Sequence, residues 1–172
     1  MGENEKRKRK EKVNSMSGIG NLGEIQTIDF LKKEFGFAIY LPLKDIGIDF
    51  IGVKRDSLFQ FQIKTSAFQK NRYFWFKLNK RKMVYGKNIY YIFVCYTMPR
   101  HNMMGKAKNY IIIPSFDLKK WILSSRIPLE KGSNSVCQIF LHPDITKKKW
   151  IFRNKGQEID WTKYWNNVKQ LK

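Results

Sequence analysis

Residues 47–66 read GIDFIGVKRDSLFQFQIKTS. Two apolar runs, Ile48–Val53 and Leu58–Lys64, flank a polar turn at Lys54–Ser57, so the stretch predicts two strands. In the second strand the alternation is strict. Phe59, Phe61 and Ile63 fall on one face, and Gln60, Gln62 and Lys64 on the other. In the first strand Asp49 shares its face with Ile51 and Val53. An acid, an amide and an ammonium are thus set among apolar neighbours. Burying such groups unpaired costs roughly 2–7 kcal/mol each, so the pattern calls for a chemical reason.

Upstream, GIGNLGEIQTIDFLKKEFGF (residues 18–37) predicts a helix. Leu22, Ile25, Ile28, Leu31 and Phe35 recur at three- and four-residue spacing. Asn21 is the expected N-cap and Gly36 the expected stop. At ~100° per residue, Glu24 lies within roughly 40° of the centre of the apolar stripe, while Asp29 lies to its side and Glu34 on the wet face. Phe37–Leu41 is a further short strand, and Lys44–Gly47 a turn. Downstream, Tyr73–Leu78 and Ile89–Met98 are strands, the latter apolar enough to be buried on both faces. Tyr110–Pro114 is a strand leading into a helix at Phe116–Ser125, with Asp117 in its first turn. Val136–Leu141 and Trp150–Phe152 are strands, and Ile159–Leu171 is read as a final amphipathic helix carrying Trp161, Tyr164, Trp165 and Val168. Residues 1–16 are charged and aperiodic and are expected to be a disordered basic arm. The expected organisation is one domain over 17–172, with a core at about 17–126 and a C-terminal extension at 127–172.

The 172 residues carry 34 Lys and Arg against 14 Asp and Glu, a net charge of +20. Only six of the basic residues lie in the first twelve positions, so the excess belongs to the folded body. That much self-repulsion suits a polyanionic partner, nucleic acid being the commonest. Neither a bilayer-crossing run nor a secretory signal is present. Cys95 and Cys137 lie in apolar strands, as thiols of a reducing compartment would, so the expected location is cytoplasmic. No Cys or His cluster has zinc spacing. The basic stretches Arg72–Trp75, Lys77–Lys82, Arg100–Lys108 and Lys147–Arg153 are candidates for phosphate contact.

Each polar residue of interest has an ordinary reading when taken alone. Glu24 could close a capping box with Asn21. Asp49 could cap a turn. Gln62 and Lys64 could form a solvated strand face. Together they supply what metal-assisted phosphodiester hydrolysis needs: hard oxygen ligands for Mg2+ and a positive charge near the transferring phosphorus. Other signals carry less. The literal G-x-G-x-x-G at Gly18–Gly23 has no strand before it, which a dinucleotide site requires. His101 and His142 are lone histidines with no partner in sequence.

The order GxxGE on a helix, then GIDF, then FQIKTS resembles the PD-(D/E)XK nuclease superfamily over residues 20–66. The resemblance implies an α/β, restriction-endonuclease-like fold: a central mixed sheet flanked by helices. It implies Asp49 as the central metal-binding acid, Gln62 in the variable acid position, Lys64 as the lysine that orients water or stabilises charge, Glu24 as the helix acid, and the Ile63 carbonyl as a further ligand. The sequence departs from the pattern in having Ile48 where a proline is common and Gln62 where an acid is common. The amide can ligate but adds no charge. The implied activity is a Mg2+-dependent DNA endonuclease of homing, resolvase or restriction type, with Mn2+ able to substitute, acting as a homodimer. The alternatives are a nucleic-acid-binding module that keeps the fold without the catalysis and, from charge alone, an RNA-binding protein.

Overall fold

The computed structural model describes residues 20–43, 47–69, 72–96, 108–167 and 171. The basic arm, the turn residues 44–46, His101 with the basic residues 100–107, the end of the strand at Met98, and Val168 lie outside them.

The first helix, α1, spans residues 20–35. It is already helical at residue 20, so Asn21 lies inside it and does not cap it, contrary to expectation. Gly36, at φ +69°, ends it as expected, its N–H donating to the Lys32 carbonyl. The buried ridge is Gly23, Thr27 and Leu31. Leu22 and Ile25, expected inside, are 41% and 65% exposed. The helix is rotated so that its small residues meet the sheet, which lets backbone and strand approach closely.

Strands β1 (Ala38–Tyr40), β2 (Phe50–Lys54), β3 (Ser57–Ala67), β5 (Ile89–Tyr96) and β6 (Lys108–Pro114) form a mixed sheet in the order β1-β2-β3-β5-β6. Only β3 and β5 run parallel. Every residue of β5 from Ile89 to Cys95 is buried, as its continuous apolar run predicts. Its even positions, Tyr90, Ile92 and Val94, join Phe59, Phe61, Ile63 and Leu31 in a core beneath α1. Phe30 stacks on Tyr110 of β6 at 3.9 Å and helps hold the helix down.

The other face of this sheet is covered mainly by strands, not by the helix expected there. β4 (Phe74–Asn79) leaves the main sheet and pairs with β7 (Val136–Asp144), which continues to β8 (Lys149–Asn154) and β9 (Gln157–Asp160). Their inner faces meet Tyr91, Phe93, Cys95, Ile111 and Ile113 in a second core. The second helix, α2 (Ser115–Leu123), adds Leu118, Trp121 and Ile122 to it. Cys95 and Cys137 are buried and unpaired.

Over its described residues, 159–167 and 171, the expected C-terminal helix does not form. Lys155 and Gly156, at φ +46° and +77°, make a two-residue turn that joins β8 to β9. A short 3-10 turn, Thr162–Tyr164, follows, with the Thr162 N–H donating to the Asp160 carboxylate at 2.8 Å. The chain then lies along the outer edge of β6. The Asn166 N–H donates to the Tyr110 carbonyl at 2.7 Å, and the Tyr110 N–H donates to Asn166 Oδ1 at 3.0 Å. Trp161, Tyr164 and Leu171 are each no more than 2% exposed, so tertiary burial outweighs the helical spacing of the aromatic residues. Among the described residues no helix is long and apolar enough to cross a membrane.

Candidate active site

Asp49 is placed by the residues on either side of it. Gly47, at φ +76°, turns the chain where a Cβ would come within 3.0 Å of the Lys82 carbonyl. The Asp49 N–H donates to the Phe61 carbonyl at 2.9 Å, one residue out of step with the β2–β3 register, in which Phe50 is opposite Phe61. Its carboxylate oxygen Oδ2 then accepts the Ile63 N–H at 2.5 Å. Here the sheet opens. β3 has eleven residues, but β2 accompanies only Ser57–Phe61. Backbone groups of successive strand residues point to alternate sides. Gln60 N–H donates toward β5, to the Asn88 carbonyl, so the odd residues face β2. The Ile63 carbonyl is therefore directed to the open edge that Asp49 occupies.

Gln62 and Lys64 project from β3 on the face turned to the second sheet, in register with Tyr91 and Phe93 of β5. Asp49 lies one residue before β2, whose register with β3 ends at Phe50 opposite Phe61. Burial chiefly raises the Tyr91 hydroxyl pKa, and the charge of Asp49 adds a smaller push in the same direction. The Gln62 amide oxygen is buried and has no hydrogen-bond partner among the described residues.

Glu24 comes from the opposite side. Its helix packs on the face carrying Phe61 and Ile63. Gly23 permits the approach: a Cβ there would fall 1.9 Å from Thr65 Oγ1. The Glu24 pKa is raised, first by burial and then by the Asp49 carboxylate, and is pulled back by the Lys64 ammonium. Glu24 is therefore within electrostatic reach of both Asp49 and Lys64. With the helix formed from residue 20, the capping-box reading of Glu24 falls away.

The remaining sequence candidates lie elsewhere. His142 sits on the outer face of the second sheet, its ring 5.6 Å from that of Tyr73. Burial and then Arg153 lower its pKa, while Glu158 opposes them. Two features were not anticipated. One is the fit of Gly23 against Thr65, whose only trace in the sequence is a glycine just before Glu24. The other is a groove of about 360 Å3 beside Lys64, lined by Thr65, Trp75, Phe76 and Lys77. The strict alternation of β4, with Trp75 and Lys77 facing outward, was its signal. Among the described residues no three His, Cys, Asp or Glu side chains cluster as a metal site. The candidate residues Glu24, Asp49, Gln62 and Ile63 offer two carboxylates, an amide and a carbonyl.

The fold is an α/β architecture with a mixed sheet. The structure is similar to that of a bacterial homing endonuclease, I-Ssp6803I, with a TM-score of 0.50 over 86% of this chain and 83% of that one, at 13% sequence identity. No family model matches the sequence. No curated protein matches it either.

Proposed function

We propose that this chain is a Mg2+-dependent DNA endonuclease of the PD-(D/E)XK type. The observation that carries the reading is the Gln62 amide oxygen, buried without a partner among the described residues on the β3 face that also carries Lys64. A buried acceptor of this kind is a cost to the fold unless a cation or water completes it. Hard divalent cations take oxygen ligands of this sort, and Mg2+ binds through one or two carboxylates with substrate phosphate completing the shell. Asp49, Gln62, the Ile63 carbonyl and Glu24 would hold it. The net charge of +20 and the homing endonuclease with a similar fold favour DNA as the substrate.

Bound there, the ion supplies Lewis-acid polarisation of a phosphoryl oxygen and activation of water. The protein does the rest. The Ile63 N–H fixes one oxygen of Asp49, which leaves the other to face the pocket. Lys64 brings an ammonium to the side of the phosphate, where it can donate to the attacking water and offset developing charge. Burial and the Asp49 charge raise the Glu24 pKa, and a cation bound there would favour its ionised form. Each chain supplies one such pocket, so cutting both strands of a duplex calls for two copies, and we propose a homodimer. The unpaired buried thiols suit a reducing, intracellular setting.

The test is plasmid nicking with Mg2+ or Mn2+. Wild type should convert supercoiled DNA to nicked and linear forms, and Asp49→Ala and Lys64→Ala should each lose at least about a hundredfold in rate while still binding DNA. Binding by wild type without any cutting in either metal would leave only a binding module.

A further inference from the structure

We infer that the groove beside Lys64 is a nucleobase-binding subsite, so that the preferred substrate is DNA in which a base next to the scissile phosphate is unstacked. The inference rests on the nuclease reading above and adds the substrate class. Lys64 belongs both to the reaction pocket and to this groove, whose wall continues through Thr65 and Phe76 to Trp75 and Lys77. Trp75 is 36% exposed, whereas Trp121, Trp150 and Trp161 are 8% exposed or less. The rings further along the same outer face are occupied with one another. Tyr73 packs edge-on against Phe140 at 5.3 Å and lies against His142 at 5.6 Å. Trp75 instead carries the Lys77 ammonium 5.0 Å from its ring centroid. That ammonium also lies 3.8 Å from Glu130, in the groove's one carboxylate contact.

An exposed indole in a groove that also holds the Lys64 and Lys77 ammonium groups, the latter over its ring, suits a ligand that combines a planar ring with anions. A nucleotide within a strand has this form: its base can lie on the indole while its phosphates meet Lys64 and Lys77. A base inside an intact duplex has no free face to offer. The groove therefore takes a base that is turned out or unpaired, and the cost of freeing it is least at a mismatch, a junction or a single strand. A groove that served the phosphate backbone alone would have no use for an exposed indole beside the catalytic lysine.

The experiment measures binding of the full chain in EDTA, so that no cutting occurs. The probes are a short oligothymidylate and an abasic phosphodiester oligomer of equal length and charge. All five indoles contribute to the intrinsic fluorescence, and the Trp75→Phe variant isolates the part that a bound base quenches at Trp75. Thymidylate should quench it and bind about 5- to 150-fold more tightly than the abasic oligomer, the range expected for stacking one base on an aromatic ring. Trp75→Leu should bring thymidylate down to the abasic affinity. Trp75→Phe should keep most of the affinity and lose the quenching, which decides the matter even if the leucine variant folds poorly. Equal affinities for the two oligomers, quenching that survives in Trp75→Phe, or no binding of either would each overturn the subsite. Cutting is not read here. Stacking without nicking therefore sinks the nuclease reading alone, and nicking with equal affinities sinks the subsite alone.

Discussion

Glu24 is under three influences of unequal size: burial and the Asp49 charge, which both favour its neutral form, and the Lys64 charge, which opposes them. The folded state consequently binds the Glu24 proton more tightly than the unfolded chain does. Between the ordinary glutamate range and the raised value, the native state holds more protons, so stability falls as pH rises through that window. Glu24→Gln removes the titration. In EDTA the variant should gain on wild type in melting temperature as pH increases from about 4 to 7. In Mg2+ at neutral pH the order should reverse, because only wild type keeps the carboxylate that stabilises the bound ion. A melting difference that does not vary with pH would show that Glu24 is not held in this pocket. At this scale the site was legible in the sequence. Gln62 and Lys64 were read onto one face of β3 by a period of two, and the strand register agrees for that pair. The orphaned Gln62 oxygen was not legible, because whether an amide finds a partner depends on residues far along the chain.

At the scale of elements, the approach of α1 to β3 decides whether Glu24 arrives at all. Thr27, fully buried, donates its hydroxyl to the Gly23 carbonyl at 2.7 Å, so that no side chain intervenes at the contact. Gly23→Ala would drive a methyl into Thr65 Oγ1, Cγ2 and Cβ, at 1.9, 2.7 and 2.8 Å. Thr65 is β-branched and fixed in a strand, so the helix must give way. The expected cost is about 1–3 kcal/mol, or a drop of roughly 2–4 °C per kcal/mol in melting temperature. Cleavage should fall more steeply than stability, since Glu24 follows Gly23 directly. Thr65→Ala in the same chain removes two of the three clashing atoms and should restore part of both. An unchanged melting temperature in the single variant would contradict the close approach. The helix could be foreseen from its three-and-four spacing, but its rotation could not. Leu22 and Ile25 mark an apolar stripe that the fold leaves facing water, because the contact uses small residues instead. The strands were legible to within a few residues, while their sheet membership was not. The alternation of β4 reads the same whether it lies in the first sheet or pairs with β7, because pairing is a non-local choice.

On the scale of the whole molecule, two sheets and two helices share buried surface that closes only when the last residues arrive. The sequence misled here: Trp161, Tyr164 and Trp165 recur at helical spacing, and the Asn154-Lys155-Gly156 turn signal was passed over. In the structure Trp161 stacks on Trp121 at 5.6 Å and on Phe152 at 5.7 Å, bridging α2 and the second sheet. Tyr164 donates its hydroxyl to Asp117 at 2.7 Å, tying the same segment to the start of α2. Asn166 covers the β6 edge, a row of backbone groups that would otherwise invite pairing with another chain. Ending the chain after Asp160 removes all three contacts at once. Trp161 alone corresponds to about 3–5 kcal/mol by analogy with large-to-small core substitutions, a large share of the roughly 5–15 kcal/mol that holds a domain folded. The truncated chain should therefore be recovered mainly as aggregate, and any soluble fraction should lack a cooperative melt. Trp161→Ala, which keeps the edge covered, should stay soluble but melt early. If the truncated chain stayed monomeric and melted cooperatively within a few degrees of wild type, the C-terminal segment would be an appendage, and the second core would have to close without it.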